Sequence, residues 1–81
     1  MDKLWLGYDG LNIPFGQIVA VMRYRRAWDR HILRTYGRIP ANIRAVVVTD
    51  DGSYYPAGRT LEDLHARWAA WRQQLAGEHG A

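Results

Sequence analysis

RAVVVTDDGSYYPA, residues 44–57, contains two short runs of strand-forming residues separated by Asp50, Asp51 and Gly52. Valine and tyrosine are enriched in strands, and an Asp-Gly step between two such runs favours a hairpin turn. The stretch therefore predicts a β-hairpin. Pro56 has no N–H to donate to a neighbouring strand, so we expect the second strand to end there or to lie at the edge of a sheet.

Two further strands are predicted upstream of the hairpin. KLWLGY (residues 3–8) and QIVAVMRY (residues 17–24) are short and rich in β-branched or aromatic residues. Four residues typical of turns punctuate these runs, Gly7 near the end of the first and Gly10, Pro14 and Gly16 between the two. Together with the hairpin, these runs predict a small antiparallel β-sheet.

A short middle helix is predicted from Ala27 to Tyr36. Apolar and basic residues each recur there every four positions on roughly opposite faces: Trp28, Ile32 and Tyr36 on one, Arg26, Arg30 and Arg34 on the other. We expect Gly37 to end this helix and its aromatic residues to lie in the core.

A C-terminal amphipathic helix is predicted after Thr60. Thr60 and Asp63 have the spacing of an N-cap with a carboxylate in the first turn. One apolar stripe then follows at intervals of three and four, formed by Leu61, Leu64, Trp68, Trp71 and Leu75. We expect the stripe to dock on the sheet or on a neighbouring subunit, and Gly77 to end the helix.

These elements predict one α+β domain over residues 1–76, followed by a frayed C-terminal tail, residues 77–81. A chain of 81 residues without cysteine buries a modest fraction of its surface. Because four Trp and five Tyr are present, we expect self-association to supply additional burial. The absence of a long apolar run and of cysteine leads us to expect a soluble, cytoplasmic protein that does not bind membranes.

The sequence offers little support for catalysis. Its three histidines have no metal-ligand spacing, and Asp50 and Asp51 are explained by the predicted turn. No glycine-rich phosphate loop follows a strand. We therefore expect no enzyme, no catalytic residue, no metal or cofactor site, and no small-molecule substrate.

Positive charge is concentrated in the middle of the chain. The segment from Arg23 to Arg44 contains seven arginines and one acid, Asp29, and so carries about +6, which leaves about −3 for the rest of a chain of net charge +3. The seven are Arg23, Arg25, Arg26, Arg30, Arg34, Arg38 and Arg44. Arginine forks onto phosphates and guanine edges, so this segregation favours a nucleic acid as the partner.

Two other interpretations of the arginines remain open. They could pair with acidic residues of a protein partner or a neighbouring subunit, which would make the chain an interaction or assembly module. RNA is the other alternative, with Tyr24, Trp28 or Tyr36 stacking on bases if they are exposed.

The order of several short motifs resembles that of the RemA-like extracellular-matrix regulators of bacteria. PFGQIVAVMR (residues 14–23) resembles the family's F-G-x-I-V-x-x-x-R stretch, Tyr36-Gly37-Arg38 its Y-G-R, and residues 44–47 its R-A-V-I/V strand. The two ends are similar to the RemB branch, through Trp5-Leu6-Gly7, the VVT of residues 47–49, and the YYP and T-L within residues 54–61. The chain departs from RemA in a shorter stretch between Arg23 and Tyr36, and in Ile39-Pro40 where the family has a second arginine.

The resemblance implies a homo-oligomeric transcriptional regulator of biofilm or matrix genes. Its small α+β protomers would assemble into a ring and present arginines to double-stranded DNA, in a manner likened to LytTR domains. Position by position, Arg23 and Arg38 match the family's DNA-contacting arginines, and Arg44 matches a neighbouring basic position. The remaining four arginines would then add electrostatic support.

Overall fold

The computed structural model describes the backbone of residues 3–80 and the side chains of residues 3–76. That part of the chain contains the strands β1 (Lys3–Trp5), β2 (Asn12–Pro14), β3 (Ile18–Arg23), β4 (Ala45–Thr49) and β5 (Tyr54–Ala57), and the helices α1 (Asp29–Tyr36) and α2 (Leu61–Gly80). The strands form a two-stranded and a three-stranded sheet, both antiparallel. The predicted α+β class is confirmed.

The hairpin predicted over residues 44–57 forms as β4 and β5. Gly52 adopts a φ of +83° in its turn, a left-handed conformation that glycine tolerates without steric cost. The Asp51 carboxylate accepts hydrogen bonds from the Thr49 hydroxyl at 2.5 Å and from the Ser53 N–H at 3.1 Å. These bonds, led by that from Thr49, lower the pKa of Asp51 and satisfy the buried hydroxyl of Thr49.

β5 lies at the edge of the three-stranded sheet, as Pro56 predicts, because the strand order is β3-β4-β5. Residues of an edge strand alternate between facing the neighbouring strand and facing away. The Tyr54 N–H faces away and donates to Thr35 Oγ1 of α1 at 2.9 Å. Pro56 is the next outward-facing residue, so its missing N–H removes no hydrogen bond to β4, and the strand continues to Ala57.

The strand β2 is absent from the sequence predictions, which assign residues 9–16 to turns. It is three residues long and pairs with β1 through Leu4 and Ile13, both buried. The backbone of Leu6 donates to Leu11 at 3.1 Å and closes the connection between the two strands. A three-residue strand that ends in proline has too little local pattern to be distinguished from a turn.

The middle helix begins slightly later than predicted. A 3-10 turn over Arg26–Trp28 precedes α1, and Gly37 ends the helix at a φ of +88°. Ile32 is fully buried, whereas Trp28 and Tyr36 are only half-buried. Trp28 stacks on Tyr54 of β5 with 5.5 Å between ring centroids.

The C-terminal helix is capped as predicted. Thr60 Oγ1 accepts a hydrogen bond from the Asp63 N–H at 3.1 Å. The helix runs to Gly80, so the prediction that Gly77 ends it is wrong. The predicted fraying of residues 77–81 stays a prediction, since the side chains of residues 77–80 and all of residue 81 lie outside the described part.

The two helices cover opposite faces of the three-stranded sheet. Ala45, Val47 and Ala57 belong to the core cluster that includes Leu64 of α2 and also receives the half-buried Leu61, Trp68 and Trp71. Val46 points to the other face because side chains alternate along a strand, and α1 covers it. The apolar stripe of α2 therefore docks on the sheet from Leu61 to Trp71, whereas Leu75 is exposed. No helix in the described residues is long and apolar enough to cross a membrane.

Candidate nucleic-acid interface

Every arginine of the Arg23–Arg44 segment is exposed to solvent. We call these seven residues the arginine patch: Arg23, Arg25, Arg26, Arg30, Arg34, Arg38 and Arg44. They lie at the end of β3, in the 3-10 turn and its approach, along α1, after its end, and just before β4. The segment that the sequence singles out therefore exposes arginines at intervals from the end of β3 to the start of β4.

Acidic residues barely neutralise the arginine patch. Within the described side chains, its single ion pair joins Arg23 to Glu62 at 3.8 Å, and both side chains are at least two-thirds exposed. An exposed pair at that distance contributes little free energy. By contrast, Arg59 and Arg67, outside the patch, both contact Asp63, at 2.5 and 3.3 Å. Asp63 thus offsets one of these two charges, whereas the seven arginines of the patch have only the weak Arg23–Glu62 pair among the described side chains.

The one acid inside the segment is engaged by a tyrosine. The Tyr24 hydroxyl donates to Asp29 Oδ1 at 2.5 Å. This hydrogen bond is the first cause that raises the pKa of Tyr24, followed by burial of the hydroxyl. Asp29 also lies in the first turn of α1, where the helix dipole favours a negative charge. Asp29 therefore has structural partners and is not paired with an arginine of the patch.

The sheet brings Arg23 and Arg44 to the same end. Arg23 pairs with Ala45 in the β3–β4 ladder, and the Tyr24 N–H donates to the Arg44 carbonyl at 3.2 Å. The Arg44 N–H in turn donates to the Ala57 carbonyl at 2.8 Å. Backbone hydrogen bonds on both sides therefore fix the position of Arg44, and the ladder register places Arg23 beside it at the same end of the sheet.

The arginines of the middle helix are spaced along its exposed side. Arg30 and Arg34 are one turn apart in α1, while Ile32 between them points into the core. Arg26 lies in the preceding 3-10 turn, so the regular four-residue helical spacing predicted for all three holds only for the last two. Two like charges one turn apart destabilise a helix by about 0.2–0.5 kcal/mol, which a polyanion would offset.

Arg38 follows directly after the left-handed Gly37. Its guanidinium lies over the ring of Tyr36, 5.6 Å from the ring centroid. The loop that continues to Arg44 is tied to the rest of the fold by the Tyr8 hydroxyl, which donates to the Ala41 carbonyl at 3.0 Å. Arg38 therefore projects from an anchored segment and remains exposed.

The aromatic residues considered for base stacking are not free. Tyr24, Trp28 and Tyr36 are all half-buried, Trp28 against Tyr54 and Tyr36 beneath Arg38. Stacking platforms for single-stranded nucleic acid need exposed ring faces. The surface around the patch is therefore basic without an exposed aromatic platform.

A second basic cluster was not predicted from the sequence. Lys3, Arg59 and Arg67 line an open pocket of about 640 Å³ together with Leu4, Trp5, Asn12 and Phe15. The four-residue spacing of Arg59, Asp63 and Arg67 was a usable signal for the basic wall. The opposite wall was not predictable, because it depends on the β1–β2 hairpin.

Neither a search for metal-binding clusters nor comparison with known proteins assigns a further site or a family to the chain. No group of three histidine or acidic side chains in the described residues is arranged to hold a metal ion. Comparison of the chain with family models, with curated proteins and with solved structures gives no match. The resemblance to the RemA-like regulators therefore stays a prediction.

Proposed function

We propose that this protein is a non-enzymatic, homo-oligomeric regulator that binds double-stranded DNA in the cytoplasm. The observation that carries the proposal is the arginine patch: seven exposed arginines with a single weak ion pair among the described side chains. The other two arginines that contact an acid, Arg59 and Arg67, share Asp63. This contrast favours a polyanionic ligand over a merely solvated surface.

Phosphate groups are the ligands that best fit a surface of exposed arginines. Each phosphate that an arginine neutralises releases condensed counterions, so binding is strong at low salt and falls steeply as salt rises. Arginine also presents a planar fork of donors that fits phosphate oxygens. Beside the patch, within the described residues, Tyr24, Trp28 and Tyr36 do not present the exposed ring faces on which single-stranded RNA would stack, which favours duplex DNA.

Arg23, Arg38 and Arg44 are proposed as the primary contacts, as the family resemblance implies. Their placement is compatible with that role: Arg23 and Arg44 share one end of the sheet, and Arg38 projects from an anchored loop. The other four arginines supply electrostatic support. We expect each protomer to reach few base edges and recognition to depend on DNA shape and on phased sites.

Self-association is proposed because several large apolar side chains are exposed in one protomer. Val19, Leu33 and Trp5 are each exposed by about half, at 55%, 48% and 47%. In a ring, as the resemblance implies, the arginine patch would recur around the assembly, and repetition would raise avidity without new contacts. This proposal includes regulation of biofilm or matrix genes only on the strength of that resemblance.

Fluorescence anisotropy of a labelled DNA duplex several helical turns long tests the proposal. The parent protein is titrated over a salt series beside Arg23→Ala and Arg38→Ala, with Arg72→Ala as the matched control. Arg72 is exposed on α2, outside the patch. We expect the logarithm of the binding constant to fall linearly with that of the salt concentration. The slope should be smaller by about 1 for each phosphate that a variant no longer neutralises.

Circular dichroism and the sedimentation mass of each variant control for folding and assembly. If Arg72→Ala lost as much binding as the patch variants, the net charge of the protein and not the position of the arginine would govern binding, which would contradict a DNA-binding patch. Absence of binding at low salt would also contradict it. Titration with a labelled polyglutamate peptide identifies the alternative. Binding of the peptide but not of DNA would make the chain an interaction module for an acidic partner.

A further inference from the structure

The pocket lined by Lys3, Arg59 and Arg67 lies on the opposite side of the sheet from α1 and its arginines, Arg30 and Arg34. Its walls are the β1–β2 hairpin on one side and the start of α2 on the other, and its remaining lining residues are Leu4, Trp5, Asn12 and Phe15. α2 and the hairpin cover the face of the sheet opposite α1. A volume of about 640 Å³ is within the usual range, about 300–1,000 Å³, of small-molecule sites.

The arginines of the basic wall have N–H donors that are not used by other side chains in the described residues. Arg59 and Arg67 both contact Asp63 through Nε, at 2.5 and 3.3 Å. Within the described residues, their terminal guanidinium nitrogens make no further hydrogen bond to a side chain. Two arginines on one carboxylate leave a charge of about +1, and Lys3 on the other wall raises this to about +2. The net positive charge and the unused N–H donors of this wall therefore favour binding of an anion.

Asp63 holds the guanidinium groups of Arg59 and Arg67 in place on this wall. The hydrogen bond from Arg59 is the first cause that lowers the pKa of Asp63, and the charges of both arginines add to it. The carboxylate is therefore ionised at neutral pH and holds the two guanidinium groups side by side. A ligand meets them already oriented, which reduces the entropy lost on binding.

Apart from Asn12, the remaining lining is apolar and includes two aromatic rings, Trp5 and Phe15. Trp5 is nearly half exposed, yet its ring is held by a hydrogen bond from its Nε1 to the Tyr8 carbonyl at 3.1 Å. Arg59 lies over the same ring, 5.3 Å from its centroid. Phe15 is fixed by stacking on Trp71 at 5.5 Å. The pocket thus combines a rigid aromatic surface with adjacent positive charge.

From this geometry we infer that the pocket binds a small organic anion with a planar apolar body. A carboxylate or phosphate of the ligand accepts hydrogen bonds from Arg59 and Arg67, and its ring system packs between Trp5 and Phe15. Lys3 adds charge at the rim. The inference does not depend on DNA binding, because none of these residues belongs to the arginine patch.

Calorimetric titration with 1-naphthoate tests the inference, with 1-naphthamide as a neutral probe of the same shape. We expect saturable 1:1 binding of the naphthoate, weaker by about tenfold in Arg67→Gln and by a smaller factor in Lys3→Gln, since each substitution removes a charged partner. Arg72→Gln, on the same helix but outside the pocket, leaves the affinity unchanged.

The two pocket variants keep the Arg59–Asp63 pair, and thermal melting verifies their folding. Lys3 is exposed on a strand, so Lys3→Gln retains the test if Arg67→Gln does not fold. Equal affinities for the acid and the amide would reduce the pocket to an apolar patch and overturn the inference. Absence of saturable binding, or an equal loss in Arg72→Gln, would also overturn it.

Discussion

Glycine has opposite roles at two positions of this chain. Gly52 has a φ of +83° in the hairpin turn, where an L-amino acid is strained even though open space surrounds it. Gly16 has no such conformation, and a Cβ built on it would meet only the Trp71 ring at 3.9 Å, an ordinary contact. At these two positions, the conformation of the local backbone, and not the available space, therefore determines how a side chain changes the free energy of unfolding.

We expect Gly52→Ala and Gly16→Ala to change stability in opposite directions. Gly52→Ala lowers the free energy of unfolding by about 1–2 kcal/mol, because alanine must adopt a left-handed conformation. Gly16→Ala raises it by about 0.4–1 kcal/mol, because the unfolded chain loses conformational freedom. Urea denaturation measures both. A loss of stability of the same size in both variants would contradict this explanation.

At the scale of elements, the ends of the two helices contrast. Gly37 ends α1 by adopting a φ of +88°, and its N–H donates to the Leu33 carbonyl at 2.9 Å. α2 continues past Gly77 to Gly80. A glycine costs only about 1 kcal/mol in a helix interior, so it ends a helix only where the following chain turns away. Sequence alone does not distinguish the two glycines.

Adjacent apolar residues of α1 should differ sharply in their contribution to stability. Ile32 is fully buried, and Leu33 is 48% exposed. We expect Ile32→Ala to lower the free energy of unfolding by about 2–4 kcal/mol, because burial is lost and a cavity forms, and Leu33→Ala to change it by less than about 1 kcal/mol. Guanidinium unfolding measures both, and similar losses would show that α1 does not pack as described.

Elements with local signals were predictable, whereas features formed by distant segments were not. The Asp-Gly turn, the Thr60 cap and the apolar stripe of α2 are each encoded within a few consecutive residues, and the structure contains all three. β2 depends on pairing with β1, and the pocket depends on the hairpin meeting α2. The exposure of the arginine patch followed from its charge, but the finding of a single weak ion pair among the described side chains depends on where the acids lie in the fold.

At the scale of the whole molecule, the exposed apolar side chains are the feature that bears on the proposed self-association. Val19 on β3 and Leu33 on α1 lie on separate elements, and both are about half exposed. Trp5 adds an exposed ring on β1. An 81-residue protomer gains buried apolar area when such residues meet those of a second copy.

We expect the sedimentation mass to increase with protein concentration. Raising salt should not dissociate the assembly, because apolar burial and not ion pairing would hold it together. Val19→Ser should shift the association to higher concentration, with Ala70→Ser, exposed on α2, as the control. A single protomer mass at every concentration would contradict self-association.

The edge strand β5 restricts how copies can polymerise. Of its two outward-facing residues, Tyr54 has given its N–H to Thr35, and Pro56 has none. β5 therefore offers an incoming strand carbonyl acceptors but no free donor, which blocks the endless sheet growth that open edges permit. At the opposite edge of the sheet, the outward-facing Val21 carbonyl of β3 lies 3.2 Å from His65 Nε2 of α2. A self-associated form of this protein is therefore protected from filament growth through the edge of β5.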